Sequence, residues 1–267
     1  RDPDGVMVVL PADHWVKDGK EFQRVLKTAV DLAVRQDRLV TIGIRPDYPE
    51  TGYGYIMKGQ AIAGRAATFQ VKRFTEKPNE ANAKKLMRQG SLWNSGIFVW
   101  KAATLIELLN RYQPEIGARL NAIRTAAKGK SLGNPSVQLN AAIAREYKKM
   151  PSISIDYAVL EKAGAEGKVL TLEADFGWSD VGSWAAVHRM MHKDTQGNAG
   201  TGQWLQLGAK NCLIHSPDRL IVLLGIENAV VVDTPDALLV GDLNRSQEVR
   251  ELVDELKRKG LGKYTIK

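Results

Sequence analysis

Cysteine is nearly missing from this sequence. The single example, Cys212, leaves no internal disulfide to staple the fold and suits a reducing, cytoplasmic compartment. No apolar run approaches the length of a bilayer span, and no signal peptide precedes the first apolar segment, so no membrane partner is expected. Histidine is scarce too, with four in the chain. No second histidine lies at ligand spacing from His14, which reads as a packed neighbour rather than a zinc ligand. The basic residues are scattered and no aromatic-rich RNA-binding signature occurs, so no nucleic-acid partner is expected either. What is present is a chain of 267 residues with 44% hydrophobic and 25% charged content, enough to bury a sizeable core. Its net charge of +8 favours anionic partners, and a small phosphorylated substrate fits.

Short apolar runs predict strands over 6–10, 38–44, 70–76, 96–100 and 168–172. Between them, Asp18 can cap a helix whose apolar face is Phe22, Val25, Leu26, Ala29, Val30 and Ala33, and Asn79 can cap another that Gly90 ends. Further helical patterns cover 103–111, 114–127, 136–149 and 155–163. The alternation predicts an α/β layered fold, a Rossmann-like, mostly parallel sheet flanked by helices. The polar, glycine-rich stretch 194-DTQGNAGTGQ-203 marks a boundary between domains 1–195 and 196–267. Beyond it, four short strands with regular turns suit a small β-roll or solenoid. A last amphipathic helix, capped by Ser246 and ended by Gly260, should bury Val249, Leu252, Val253 and Leu256.

The informative polar residues are those a core does not need. Asp13, in 8-VVLPADHW-15, sits just past the end of the first strand, where open α/β sheets bind ligands. Asp180, in 176-FGWSDVGSW-184, also follows a strand. Taken alone, each reads as a turn or cap residue; together they can hold one Mg²⁺, which takes few protein ligands and shares the rest with phosphates and water. The segment 74-FTEKP-78 sets Glu76, an acceptor for hydroxyls, beside Lys77, a point charge for phosphate. In 50-ETGYGYI-56, Gly54 allows close approach to a ligand. In 93-WNSGIFVW-100, Asn94 and Ser95 precede the predicted strand, free either to bind sugar hydroxyls or to cap it. Asp156, in 152-SISIDYAVLEK-162, lies in a first helical turn, where capping and ligand binding are both open.

The ordered set LPADHW, PETGYGYI, FTEKP, WNSGIFVW, SIDYAVLEK and FGWSDVGSW resembles that of the mannose-1-phosphate guanylyltransferases, within the sugar-nucleotidyltransferase superfamily. The tail GIENAVVVDTPDALLV resembles their C-terminal β-domain, which implies a left-handed β-helix-like fold. The resemblance implies Mg²⁺ on Asp13 and Asp180, mannose and its phosphate among Gly54, Glu76, Lys77, Asn94, Ser95 and Asp156, and transfer from GTP to mannose 1-phosphate. It leaves room for a homodimer. The family's glycine-rich GGxGxR-type loop, which wraps the triphosphate, does not occur here. The resemblance therefore implies that roughly the first hundred residues of the family pattern lie upstream of Arg1, with the determinants of base choice among them. Two rivals remain open: a sister enzyme such as a glucose-1-phosphate thymidylyltransferase, and a non-catalytic sugar-nucleotide-binding subunit.

Overall fold

The computed structural model describes residues 4–65, 67–127 and 137–265, so the expected helix start at Ser136 lies outside the described residues. In chain order the elements are β1 (Val6–Val9), β2 (Trp15–Val16), α1 (Gly19–Gln36), β3 (Leu39–Ile44), β4 (Gly54–Ala61), β5 (Thr68–Glu76), α2 (Glu80–Arg88) and β6 (Leu92–Lys101). Next come α3 (Ala102–Tyr112), α4 (Pro114–Ala126), α5 (Val137–Tyr147), a π-helical turn (Asp156–Leu160), α6 (Glu161–Ala165), β7 (Val169–Ala174), β8 (Trp178–Ser179) and α7 (Trp184–Met190). The chain ends through β9 (Ala199–Leu207), β10 (Leu213–Leu224), β11 (Ala229–Asp233), β12 (Leu238–Asp242) and α8 (Val249–Arg258). No described helix is long and apolar enough to cross a membrane.

Two compact units result. One comprises the segment ending at Ala12 together with Val16–Trp178; the other comprises Asp13–Trp15 and the segment from Ser179 onward. The first is built on a six-stranded sheet of order β1-β6-β3-β7-β5-β4, with β4 also meeting β6. Its layered α/β character is as the alternation predicts, but the sheet is mixed rather than mostly parallel. β3 pairs β7 in parallel, while β1–β6, β3–β6, β4–β5, β4–β6 and β5–β7 are antiparallel. The apolar pattern of a strand reports its burial; direction is set by how the chain returns to the sheet.

β3 is buried at every position, and each fully buried aliphatic side chain of this kind contributes roughly 1.5–3 kcal/mol. Its Val40 and Ile42 pack with Ala29 and Leu32 of α1 on one face, while Leu39 joins Phe98, Leu160 and Val169 on the other. The helix starts follow local chemistry. Asp18 Oδ1 accepts from the amides of Lys20 and Glu21, both at 3.0 Å, and Asn79 accepts from that of Asn82 at 2.9 Å. β1 departs from the expected buried strand: it lies at the sheet edge beside β6, and Val8 and Val9 are 40% and 38% exposed.

In the second unit β9, β10 and β11 stack in parallel and β12 closes antiparallel on β11, the β-helix-like arrangement expected. Asn198, fully buried, ties the coil together: its side chain donates to Ala209 O at 2.9 Å and accepts from the Cys212 amide at 3.0 Å. The terminal helix differs from its sequence pattern. Ser246 is not its cap but lies in a preceding 3₁₀ turn, where its hydroxyl accepts from the Ala185 amide. No residue of α8 is buried, and Leu252 is 51% exposed beside a groove of about 490 Å³ shared with β12. An amphipathic pattern marks the face a helix can bury; whether an element covers it is a tertiary matter.

Candidate functional site

A bulge organises the first unit's polar cluster. Opposite β3, the register of β6 slips from Thr41↔Phe98 to Gly43↔Asn94, so extra residues of β6 must be accommodated. Gly96 does this with φ of +71°, a conformation glycine adopts without steric cost. Ser95 repairs the ladder: its buried hydroxyl donates to Ile42 O at 2.7 Å and accepts from the Ile97 amide at 3.2 Å. Of the two roles the sequence left open to Ser95, binding a sugar hydroxyl or serving the strand, these two hydrogen bonds supply the second. Asn94 and Ser95 also lie inside β6 rather than before it.

The bulge delivers Asn94 to a cluster drawn from four elements. Its Nδ2 donates to Asp156 Oδ1 at 2.9 Å, and its Oδ1 accepts from Thr41 Oγ1 at 3.1 Å and from the Gly96 amide at 3.4 Å. Asp156 opens the π-helical turn, a local distortion frequent at functional positions. Gly54 opens β4 opposite Glu76, the last residue of β5. A Cβ on Gly54 would stand 2.5 Å from Glu76 Oε2 and 3.4 Å from Asn94 Cβ, so only glycine leaves this space open. The sequence loop 50–56 thus ends in a strand, which places Gly54 in register rather than in a turn.

Lys77 follows with φ of +44°, its amide donating to Tyr53 O at 3.2 Å. A left-handed non-glycine residue costs on the order of 1–3 kcal/mol unless its surroundings hold it. Lys77 Nζ lies 3.8 Å from Glu76 Oε1, with the lysine side chain 67% exposed and the glutamate 24%. Burial pushes the carboxyls of both Glu76 and Asp156 above their ordinary range. The charge of Asp156 adds to the rise at Glu76, while Lys77 opposes it at both. Gly54, Glu76, Lys77, Asn94 and Asp156, scattered over a hundred positions in sequence, meet at one end of the sheet. Such a group offers acceptors and an amide donor to hydroxyls and an ammonium to a phosphate.

Asp13 and Asp180 both belong to the second unit. Burial lowers the affinity of His14 for a proton, and the charges of Asp180 and then Asp13 act against that shift, so both carboxylates bear on the same imidazole. Asp180 is set by a tight turn: its Oδ1 accepts from the Gly182 amide at 2.9 Å, and Val181 between them has φ of +54°. For a β-branched residue that angle is a genuine outlier. Among the described residues, no group of three or more His, Cys, Asp or Glu forms a metal cluster. Two hard carboxylates suit a cation that completes its shell with phosphate and water. Sequence reasoning missed Thr41, whose place in the apolar run of β3 reads as core; no spacing rule links it to Asn94, 53 residues away.

Comparison with known proteins adds an independent line. Residues 1–197 match the family model described as nucleotidyl transferase, and residues 202–256 match that of a MannoseP isomerase/GMP-like beta-helix domain. The chain is 42% identical over 263 residues to the xanthan biosynthesis protein XanB of Xanthomonas campestris pv. campestris (strain B100), covering 98% of this chain and 53% of the relative. It is 38% identical over 263 residues to a mannose-1-phosphate guanylyltransferase of Klebsiella pneumoniae, covering 98% and 54%. The chain thus spans about half the length of the curated relatives it matches. A crystal structure of a mannose-1-phosphate geranyltransferase from Thermus thermophilus matches with a TM-score of 0.79 at 33% identity, covering 94% of this chain and 70% of that one.

Proposed function

The chain belongs to the nucleotidyl transferase family, and from that membership we propose that the protein carrying it joins mannose 1-phosphate and GTP into GDP-mannose and diphosphate. The observation that carries the proposal is the cluster of Gly54, Glu76, Lys77, Asn94 and Asp156 at one sheet end. The names of relatives from several bacteria, mannose-1-phosphate guanylyltransferases among them, support the same reading.

The chemistry asks little acid–base work of the protein. A sugar 1-phosphate is a monoester, mostly dianionic at pH 7, and is already a nucleophile. Its oxygen attacks the α-phosphorus of GTP in line; the P–O bond to the β-phosphate breaks, and diphosphate leaves with the electron pair. The barrier falls through positioning and charge neutralisation. Lys77 would hold the phosphate of mannose 1-phosphate; its ammonium is exposed, which supports the reading. Asn94, Glu76 and Asp156 would orient the sugar by donating to and accepting from its hydroxyls. Asp13 and Asp180 would hold Mg²⁺; their oxygen donors suit it, and burial lowers the affinity of their common neighbour His14 for a proton. When bound, the ion offsets the charge of the phosphates.

The test is a substrate panel on the protein carrying this chain. Mannose 1-phosphate and glucose 1-phosphate are each paired with GTP, ATP, UTP and dTTP in the presence of Mg²⁺, and released diphosphate and nucleotide-sugar are measured. GDP-mannose should dominate. Preferred formation of dTDP-glucose, or no product from any pair, would refute the proposal.

A further inference from the structure

Thr41 is fully buried in the central strand β3, yet its hydroxyl is not spent on the backbone: Oγ1 reaches Asn94 Oδ1 at 3.1 Å. We propose that Thr41 is a positioning residue that fixes the Asn94 amide, so that the sugar pocket presents an N–H donor between the acceptors Glu76 and Asp156. The inference rests on the sugar-phosphate reading of this cluster.

An asparagine amide can in principle lie either way round, and its neighbours decide. On one side of Asn94 stands the Gly96 amide, which can only donate, 3.4 Å from Oδ1. On the other stands the Asp156 carboxylate, 2.9 Å from Nδ2. Turning the amide over would set oxygen against carboxylate and NH₂ against N–H. The Gly96 contact is long, near the limit of a useful hydrogen bond. The Thr41 hydroxyl, at the shorter distance, is therefore the principal anchor of Oδ1. With the oxygen anchored, one proton of Nδ2 goes to Asp156 and the second is directed to a ligand. The pocket then carries a fixed pattern of one donor and two acceptors, and a sugar is recognised by whether its hydroxyls match that order.

The β6 bulge makes this arrangement possible. In an unbroken antiparallel ladder, Asn94 would lie two positions beyond Gly43; the slip brings it opposite Gly43, within reach of Thr41. β-Branched Thr41 has a restricted χ1, so the hydroxyl is held without a large entropic cost.

Steady-state kinetics on wild type, Thr41→Val, Thr41→Ser, Asn94→Ala and the double variant Thr41→Val/Asn94→Ala test the proposal. Thr41→Val should raise KM for mannose 1-phosphate about three- to tenfold, the loss of one neutral hydrogen bond. KM for GTP and kcat should stay near wild type. Thr41→Ser should recover most of the loss. On the Asn94→Ala background the valine change should add nothing, because its effect passes through the amide. Wild-type KM in Thr41→Val, a serine variant as impaired as the valine one, or full additivity with Asn94→Ala would each overturn the inference. Should Thr41→Val fail to fold, Thr41→Cys, a close isostere with only a weak donor, takes its place with the same expectations. A wild-type protein that makes no GDP-mannose refutes the functional reading and this inference together; normal wild-type turnover with an indifferent Thr41 refutes the inference alone.

Discussion

Asn94 Nδ2 and Asp156 Oδ1 stand 2.9 Å apart although 62 residues separate them in sequence. The contact joins a bulged strand to the first residue of a π-helical turn. It satisfies a carboxylate that burial would otherwise leave poorly compensated.

That carboxylate gives a pH-dependent signature. Burial raises the folded-state pKa of Asp156, with the Asn94 hydrogen bond and Lys77 opposing it, and burial followed by the Asp156 charge raises that of Glu76. Between the unfolded and the raised folded pKa the native state binds more protons, so ligand-free stability falls as pH rises through that window and stays lower above it. Asp156→Asn removes the charge and keeps the shape. Its melting temperature should exceed that of wild type at pH 7 by a few degrees, about 2–4 °C for each kcal/mol relieved. The gain should vanish below the ordinary carboxylate range, and mannose 1-phosphate binding should weaken. A variant that melts below wild type at pH 7 would contradict this account.

Gly54→Ala tests the open space. Its new Cβ would meet Glu76 Oε2 at 2.5 Å, the mobile end of a side chain rather than backbone, so the fold should survive while the carboxylate moves aside. The expected result is a loss of about ten- to a hundredfold in kcat/KM, with a nearly unchanged thermal melt. Undiminished turnover would show that the space serves no ligand.

Lys77 offers a charge and a strained backbone in one residue. Lys77→Ala should raise KM for mannose 1-phosphate roughly tenfold to a hundredfold, as expected for a lost charge-assisted contact, while KM for GTP changes little. Lys77→Gly should show the same defect although it relaxes φ. Recovery of binding in the glycine variant would assign the effect to the backbone instead.

Asp180→Asn should lower kcat on the order of a hundredfold and shift the Mg²⁺ concentration needed for half-maximal turnover upward, with a smaller change in KM for mannose 1-phosphate. The Gly182 amide can still donate to the asparagine carbonyl, so the turn should persist. Wild-type magnesium dependence in this variant would remove Asp180 from the metal site.

The sequence alone determined whatever depends on residues a few positions apart. Asp18 and Asn79 cap their helices because a side-chain oxygen reaches amides two or three residues away. The apolar face of α1 follows from helical period, and Val25, Ala29 and Ala33 are buried as that period requires. The chemistry of the candidate site was legible as residue types in ordered motifs. Tertiary structure decided the rest: the mixed strand directions, the exposure of α8 and the division of labour within WNSG. Ser95 and Asn94 are adjacent and both polar, yet one mends a bulge and the other faces the polar cluster. Only the register of β6 against β3 separates those roles. Register is fixed by the summed burial of strands distant in sequence, a sum that no local window contains.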